Sequence, residues 1–129
     1  MVTSRPLDRL TTGGGFEVHA VVMGDGKAPV IELLEHRRTR ADLPEFYANF
    51  NKFLRFGFVD RGNAFKALRN VRNVWQVSAT SHRILGFRWG NVLVLTNGFE
   101  KKRNDTEQKH IDVCEERTAA FLRDLGVAT

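Results

Sequence analysis

The stretch from residue 74 to residue 102 constrains the fold most, because it predicts three short strands joined by tight turns. Its apolar and β-branched side chains are typical of the pleated, half-buried surface of a sheet. Gly90-Asn91 separates the second and third runs and suits a two-residue hairpin turn that needs positive φ, whereas Thr80-Ser81 is a weaker turn. The pattern therefore predicts an antiparallel three-stranded meander, built on Trp75, Val77, Ile84, Leu85, Phe87, Trp89, Val92, Leu93, Val94 and Leu95.

The N-terminal part predicts one strand that follows a mobile segment. Residues 1–15 contain few large apolar side chains and end in three glycines, so we expect them to be mobile. Residues 16–23 alternate well enough to predict a strand, with one face formed by Phe16, Val18, Ala20 and Val22.

The next segment, residues 28–35, fits two structures. It can form a second strand that closes a hairpin through the Asp25-Gly26 turn. It can also form a short helix with Pro29 in its first turn. The helix is favoured by the spacing of three apolar residues, Val30, Leu33 and Leu34.

A longer helix is predicted from Asp42 to Gly57, because Asp42, Pro44 and Glu45 are typical of a first turn and Gly57 of a helix end. Its aromatic stripe is predicted to be core rather than a base-stacking platform, since helical spacing explains it. The stripe consists of Leu43, Phe46, Tyr47, Phe50, Phe53 and Leu54.

The remaining segments predict a connection and a last helix. Residues 58–73 form a basic connection, which we expect Phe65 and Leu68 to anchor as one short turn of helix. The last helix is expected to begin near residues 104–106, where Asp105 and Gln108 resemble a capping box. It is expected to end at Gly126, with an apolar stripe of Ile111, Cys114, Phe121, Leu122 and Leu125.

These elements together predict a small α+β fold. An N-terminal strand and the meander would form a small antiparallel sheet, with two helices before the meander and one C-terminal helix. The 129 residues suffice for one domain with a modest core, which we place at residues 16–129.

Composition narrows the class of function. The net charge of +5 favours an acidic partner, and nucleic acid is the commonest one. The single cysteine, Cys114, cannot form an internal disulfide and is predicted to be a small buried hydrophobe. No apolar run approaches a membrane span and the N-terminus lacks a signal-peptide core, so we expect a cytoplasmic protein without a membrane partner.

The sequence contains no pattern for a metal or a cofactor. His19, His36, His82 and His110 are scattered, and no phosphate loop or dinucleotide fingerprint occurs. We therefore predict no metal and no cofactor.

A cluster of cations is the remaining candidate site. In an antiparallel meander the start of the second strand lies near the end of the third, so Arg83 is expected to approach Lys101 and Lys102. Such a cluster can bind a phosphodiester and stabilise charge that develops on it. RNA cleavage needs no metal, since the 2′-hydroxyl of the substrate can act as the nucleophile. His82 is either an acid or base by type or a strand-end histidine without a role. Further RNA contacts are predicted for Lys66, Arg69, Arg72, Arg88 and Arg103.

The C-terminal half resembles the phage-derived, HigB-like branch of the RelE/ParE superfamily of toxins, and the two predicted helices before it resemble that family more loosely. The most specific motif is Phe-x-Lys-Lys after the third meander strand. The matching segments are Phe65-Lys66-Ala67-Leu68, Trp75-Gln76-Val77, His82-Arg83-Ile84-Leu85, Val92-Leu93-Val94-Leu95 and Gly98-Phe99-Glu100-Lys101-Lys102.

The resemblance implies a metal-independent endoribonuclease that cleaves messenger RNA, usually on the ribosome, and that a small antitoxin neutralises. We expect that antitoxin to be a helix-turn-helix protein. By position, Arg83 matches the arginine that grips the scissile phosphate, and Lys101 and Lys102 match the basic pair beside it.

The chain also departs from the pattern of that family. Gln76 and Ser78 stand where the first meander strand should have glutamate and arginine, and His82 stands where a tyrosine is expected. These departures leave two alternatives open. One is a non-catalytic, ParE-like toxin that acts on DNA gyrase, and the other is an inactive relative that binds nucleic acid or protein.

Overall fold

The structure is a computed structural model that describes residues 1–8, 10, 14–57, 64–103 and 105–126. Within these residues the chain forms three α-helices and one six-stranded sheet. The strands are β1 (Thr3–Pro6), β2 (Glu17–Val22), β3 (Phe65–Ala67), β4 (Trp75–Ser78), β5 (His82–Trp89) and β6 (Val92–Glu100). The helices are α1 (Pro29–Glu35), α2 (Leu43–Phe56) and α3 (Gln108–Asp124), with a 3-10 helix at Arg37–Asp42 between α1 and α2.

The α+β class is confirmed, but the prediction of an antiparallel sheet is wrong. The strand order is β1-β2-β6-β5-β4-β3, and β2 pairs with β6 in the parallel direction. Parallel pairing needs a long connection, and here α1, α2 and the strands β3 to β5 provide it. The sheet is therefore mixed, with β6 in its interior.

Three local predictions are confirmed. The meander consists of β4, β5 and β6, and Gly90 in its second turn has φ of 61°. Residues 29–35 are helical, so the helix and not the hairpin strand forms there. Helix α2 ends at Gly57, whose φ of 74° is the left-handed conformation that glycine adopts without steric cost.

Three other predictions need correction. The segment expected to be mobile contributes edge strand β1, whose backbone pairs with β2. The expected helical turn at Phe65 is strand β3, which pairs with β4 in the register Phe65 to Val77. Helix α3 begins at Gln108 without a side-chain cap, so the capping box with Asp105 does not form. Asn104 lies outside the described residues.

Both faces of the sheet are covered. One face packs against α1 and α2 around Val18, Leu95 and Phe50, and we call it the α1/α2 face. Alternate residues of the same strands, including Leu85, Phe87 and Val94, pack against Cys114 and Phe121 of α3 on the opposite face, which we call the α3 face. Burial on both sides explains the uninterrupted apolar run Leu93-Val94-Leu95 in β6.

A β-bulge in β6 sets which side chains reach each face near the end of that strand. Leu85 pairs with Asn97 and Gly86 pairs with Leu95, so Thr96 is the extra residue. The Thr96 carbonyl accepts a hydrogen bond of 2.7 Å from Arg117 of α3. Beyond the bulge, Phe99 pairs with Arg83 and therefore shares its face of the sheet.

No helix in the described residues has both the length and the apolar composition that crossing a membrane requires.

Candidate functional site

The start of β5 and the segment after β6 form one small surface pocket. Strand pairing places Arg83 opposite Phe99, and the backbone N–H of Lys101 donates to the Ser81 carbonyl at 2.8 Å. The structure therefore brings Arg83 together with Lys101 and Lys102. We call this site the cation pocket; it is lined by Arg83, Phe99, Glu100, Lys101, Lys102, Arg103, Asp105, Thr106 and Glu107.

Arg83 is held in place by the turn that precedes it. One guanidinium nitrogen, Nη1, donates to the carbonyl oxygens of Ala79 and His82, the second at 2.9 Å. Burial lowers the pKa of the Arg83 guanidinium, while the carboxylates of Asp42 and Glu45 oppose that shift. A guanidinium stays charged in a protein. Arg83 is therefore a fixed cation, since the turn orients its fork before any ligand arrives.

The charges in the cation pocket are partly balanced. Four cationic side chains share the pocket with the carboxylates of Glu100, Asp105 and Glu107. Glu107 lies 3.6 Å from the ammonium group of Lys109. Within the described part of the chain, no ion pair involves Lys101, Lys102 or Arg103. These three side chains therefore keep their charge available for an anionic ligand.

His82 lies outside the cation pocket. It is 5% exposed and pairs with Glu100, one residue out of phase with Arg83, so its side chain is on the α1/α2 face. Its Nδ1 lies 3.0 Å from Oδ2 of Asp42. The structure therefore places His82 in a buried hydrogen bond rather than beside the cations.

Asp42 and Glu45 hold the turn between β4 and β5, and we call this arrangement the turn clamp. Asp42 Oδ2 accepts from the backbone N–H of Ser81 at 2.8 Å as well as contacting His82. Glu45 accepts from the backbone N–H of Thr80 at 3.1 Å and from the Thr80 hydroxyl. The start of α2 thus fixes the turn whose carbonyls bind Arg83 and Lys101.

The predicted RNA-binding residues lie in four places. Arg103 lines the cation pocket. Arg88 lies on the α1/α2 face, stacked over Phe53 and Trp75 at 5.2 and 5.4 Å from the ring centroids. Arg72 lies beside α3, in a depression of about 290 Å³ that includes Glu115 and Leu122. Arg88 and Arg72 therefore do not join the cation pocket.

Lys66 and Arg69 line a neighbouring cleft of about 580 Å³. Asp105 and Thr106 border both the cleft and the cation pocket, so the two are adjacent. We call it the side cleft; its lining is Lys66, Ala67, Leu68, Arg69, Asn70, Asp105, Thr106 and Ile111.

Two of the three positions that depart from the resembled family, Gln76 and Ser78, lie on β4, the strand that pairs with the strand of Arg83. Ser78 pairs directly with Arg83 across the strands. Gln76 is 5% exposed, and its Oε1 accepts a hydrogen bond from the Thr106 hydroxyl. The side-chain amide of Gln76 does not ionise at neutral pH. Its hydrogen bond with Thr106 joins β4 to the segment before α3.

His110 is a titratable residue beside the cation pocket that sequence reasoning missed. Its ring stacks on Phe99, with the centroids 3.7 Å apart and the planes 1° from parallel. Burial is the main cause that lowers the pKa of His110, and Lys109 and Lys102 lower it further while Glu107 opposes them. The sequence does contain a signal for this residue, because His110 lies in the first turn of a helix that follows a basic run.

Removing the imidazole of His110 is expected to flatten the dependence of stability on pH. Because the folded state lowers the pKa of His110, the unfolded state binds more protons, and stability falls as the pH drops below the usual histidine range. Urea unfolding at pH 7 and pH 5 would show a smaller loss for His110→Gln than for the unchanged protein. His110→Phe keeps the stack on Phe99 without the titration and serves as the control. Equal losses in all three proteins would contradict the assignment.

Among the described residues, no three His, Cys, Asp or Glu side chains come together as potential metal ligands.

Comparison of the chain with protein-family models gives no match, and comparison with curated proteins gives none either.

Proposed function

We propose that this protein is the toxin of a type II toxin-antitoxin system and acts as a metal-independent endoribonuclease on messenger RNA. One observation supports this most directly, namely that Arg83, Lys101, Lys102 and Arg103 line one pocket. The resemblance to RelE/ParE toxins and the net charge of +5 point to the same class. The cations that line the pocket would contact, at the protein surface, the phosphodiester that is cleaved.

The proposed reaction is an in-line transfer within the RNA. The 2′-hydroxyl gives its proton to a base, either a protein side chain or water, and its oxygen forms a bond to the adjacent phosphorus. The bond from phosphorus to the 5′-oxygen breaks, and that oxygen takes up a proton from water or a protein acid. The products are a 2′,3′-cyclic phosphate and a 5′-hydroxyl. Charge accumulates on the phosphoryl oxygens in the transition state, where fixed cations are most effective. Arg83 suits two-point binding of those oxygens, and Lys101 and Lys102 suit point-charge stabilisation.

His82 would act as a positioning residue in this proposal, because its imidazole is bonded to Asp42 on the opposite face. His110 has the better position for proton transfer. It stacks on Phe99, a lining residue, and its lowered pKa favours the neutral ring that accepts a proton.

The biological partners in this proposal are messenger RNA, bound on the ribosome, and a small helix-turn-helix antitoxin. Both come from the resemblance. A gene for such a protein beside the gene for this chain would support the proposal.

Induced expression without a partner protein is expected to arrest growth and protein synthesis within one generation. Incorporation of labelled methionine measures synthesis, and mapping of RNA 5′-ends detects new cuts that bear a 5′-hydroxyl. The control strain expresses the Arg38→Ala variant, which removes an exposed cation of the 3-10 helix and should remain toxic. Normal growth with abundant folded protein would overturn the proposal.

A second candidate is a gyrase-directed toxin of the ParE kind. The observation that favours it is that Gln76 and Ser78 stand where the resembled family is expected to have glutamate and arginine. Ser78 pairs with Arg83, and Gln76 pairs with Leu85. Growth arrest with an induced DNA-damage response and intact transcripts would support this candidate. Salt-dependent RNA binding without arrest or cleavage would instead indicate an inactive binding relative.

A further inference from the structure

The side cleft is larger than the cation pocket and shares only Asp105 and Thr106 with its lining. Its volume of about 580 Å³ lies within the range of pockets that bind small molecules and nucleotides. It opens between the β3–β4 strand pair and the segment before α3. Asp105 and Thr106 are common to both sites, so the side cleft and the cation pocket are immediate neighbours on the surface.

The loop that forms one wall of the side cleft is well ordered by hydrogen bonds. The backbone N–H of Leu68 donates to the Val74 carbonyl at 2.8 Å and closes the loop. Asn73 bonds to both backbone groups of Arg88, donating to the carbonyl at 2.8 Å and accepting from the N–H at 3.1 Å. Both Asn70 and Asn73 have positive φ, of 63° and 56°. Because the backbone is fixed, little conformational entropy remains to be lost when a ligand binds.

The floor of the side cleft is also fixed. Lys66 pairs with Gln76 across β3 and β4, and Gln76 accepts the hydrogen bond from Thr106 that joins the sheet to the segment before α3. Ile111 of α3 is 8% exposed and adds an apolar surface.

The chemistry of the side cleft fits one nucleotide. Lys66 and Arg69 form no ion pair with the described carboxylates, so they can bind a phosphate. Leu68 and Ile111 offer an apolar surface for one face of a base. Asn70 supplies an amide that can both donate to and accept from the edge of a base.

We propose that the side cleft binds one nucleotide of single-stranded RNA, adjacent to the nucleotide whose phosphate lies in the cation pocket. This inference rests on the proposed function for its substrate class. It makes the length of the RNA a determinant of affinity, because a ligand must fill both sites to bind tightly.

The test measures binding of labelled 2′-O-methyl RNAs of two, four and eight nucleotides by fluorescence anisotropy, since these RNAs cannot undergo attack by the 2′-oxygen. Three proteins are compared. They are the unchanged protein, the K66A/R69A variant, and a control variant K27A/R38A, which removes two exposed cations near α1. Thermal unfolding of each protein provides the check on folding.

We expect K66A/R69A to bind the eight-nucleotide RNA about tenfold more weakly than the unchanged protein does. The dinucleotide has a single phosphate, which would lie in the cation pocket, so K66A/R69A should bind it nearly as well as the unchanged protein. Loss of contact with one phosphate should lower the magnitude of the slope of log affinity against log salt by about 0.7. The control should change affinity less than about twofold. A third variant, Asn70→Gly, keeps the positive φ and removes the amide, so it should reduce discrimination between bases without changing the salt slope. Equal loss in K66A/R69A and K27A/R38A, or no loss in either, would overturn the inference.

A parallel assay of cleavage, with unmodified RNA both free and bound on ribosomes, separates this inference from the proposed function. Binding that depends on Lys66 and Arg69 without any cleavage would support the side cleft and overturn the ribonuclease. Cleavage by the unchanged protein together with unaltered binding by K66A/R69A would support the ribonuclease and overturn the side cleft.

Discussion

Arg83→Ala is expected to lower the rate of RNA cleavage by the purified protein by about a hundredfold to a thousandfold, the usual effect of removing one fixed transition-state donor. Arg83 is partly buried and oriented by the carbonyls of Ala79 and His82, so its charge is effective in the cation pocket. Single-turnover cleavage at saturating RNA measures the chemical step. The loss should appear in kcat more than in KM, because the interaction is strongest in the transition state.

Two variants serve as controls for this result. Arg83→Lys keeps the charge and loses the fork, so it should cleave at a rate between those of the unchanged protein and Arg83→Ala. Arg38→Ala removes an exposed cation of the 3-10 helix and should cleave normally. Thermal unfolding shows whether Arg83→Ala is folded. Full activity in folded Arg83→Ala would exclude Arg83 from the reaction.

Asp42→Ala is expected to lower the free energy of unfolding by about 3 kcal/mol, because it removes one hydrogen bond and leaves the buried His82 imidazole without its acceptor. Asp42 is 4% exposed and its carboxylate is the acceptor for both the Ser81 N–H and the His82 imidazole. His82 would remain buried without that acceptor, whereas Ser81 is an exposed residue and would lose one hydrogen bond. The midpoint of urea unfolding, at constant m-value, measures the change.

Two other variants test whether the turn clamp explains this loss. Asp42→Asn keeps an oxygen acceptor for Ser81 and should be less destabilised than Asp42→Ala. Glu45→Ala removes the more exposed acceptor of Thr80 and is expected to cost about 1 kcal/mol. If Asp42→Ala unfolds within 0.5 kcal/mol of the unchanged protein, a threshold set by the usual effect of surface substitutions, the clamp does not stabilise the fold.

The parts of the fold that sequence reasoning predicted correctly are specified by local patterns. The meander follows from alternating apolar residues and Gly90-Asn91, and α2 follows from helical spacing that ends at Gly57. Strand β1 has no such signal, because Thr3–Pro6 contains no apolar alternation and is stabilised by backbone pairing with β2. The parallel pairing of β2 with β6 joins residues more than 70 positions apart, which no local period encodes.

The same distinction between local patterns and contacts of distant residues applies to the candidate site. Arg83, Lys101 and Lys102 come together through a single hairpin, which the sequence predicts from its turn. The direction of His82 depends on Asp42, a partner 40 residues away in another element. The position of His110 depends on how α3 packs against Phe99. Such tertiary contacts determine which side chains near a cluster take part in it.

The interior position of β6 determines when the sheet can form during synthesis of the chain. Strand β6 lies between β2 and β5, yet it is the last strand along the chain. During synthesis β1 and β2 have only each other, and an isolated pair of strands is marginally stable in water. Lys101, Lys102 and Arg103 follow β6, so three of the four cations of the pocket are made directly after the strand that completes the sheet. A chain that lacks β6 therefore has neither the complete sheet nor an assembled cation pocket.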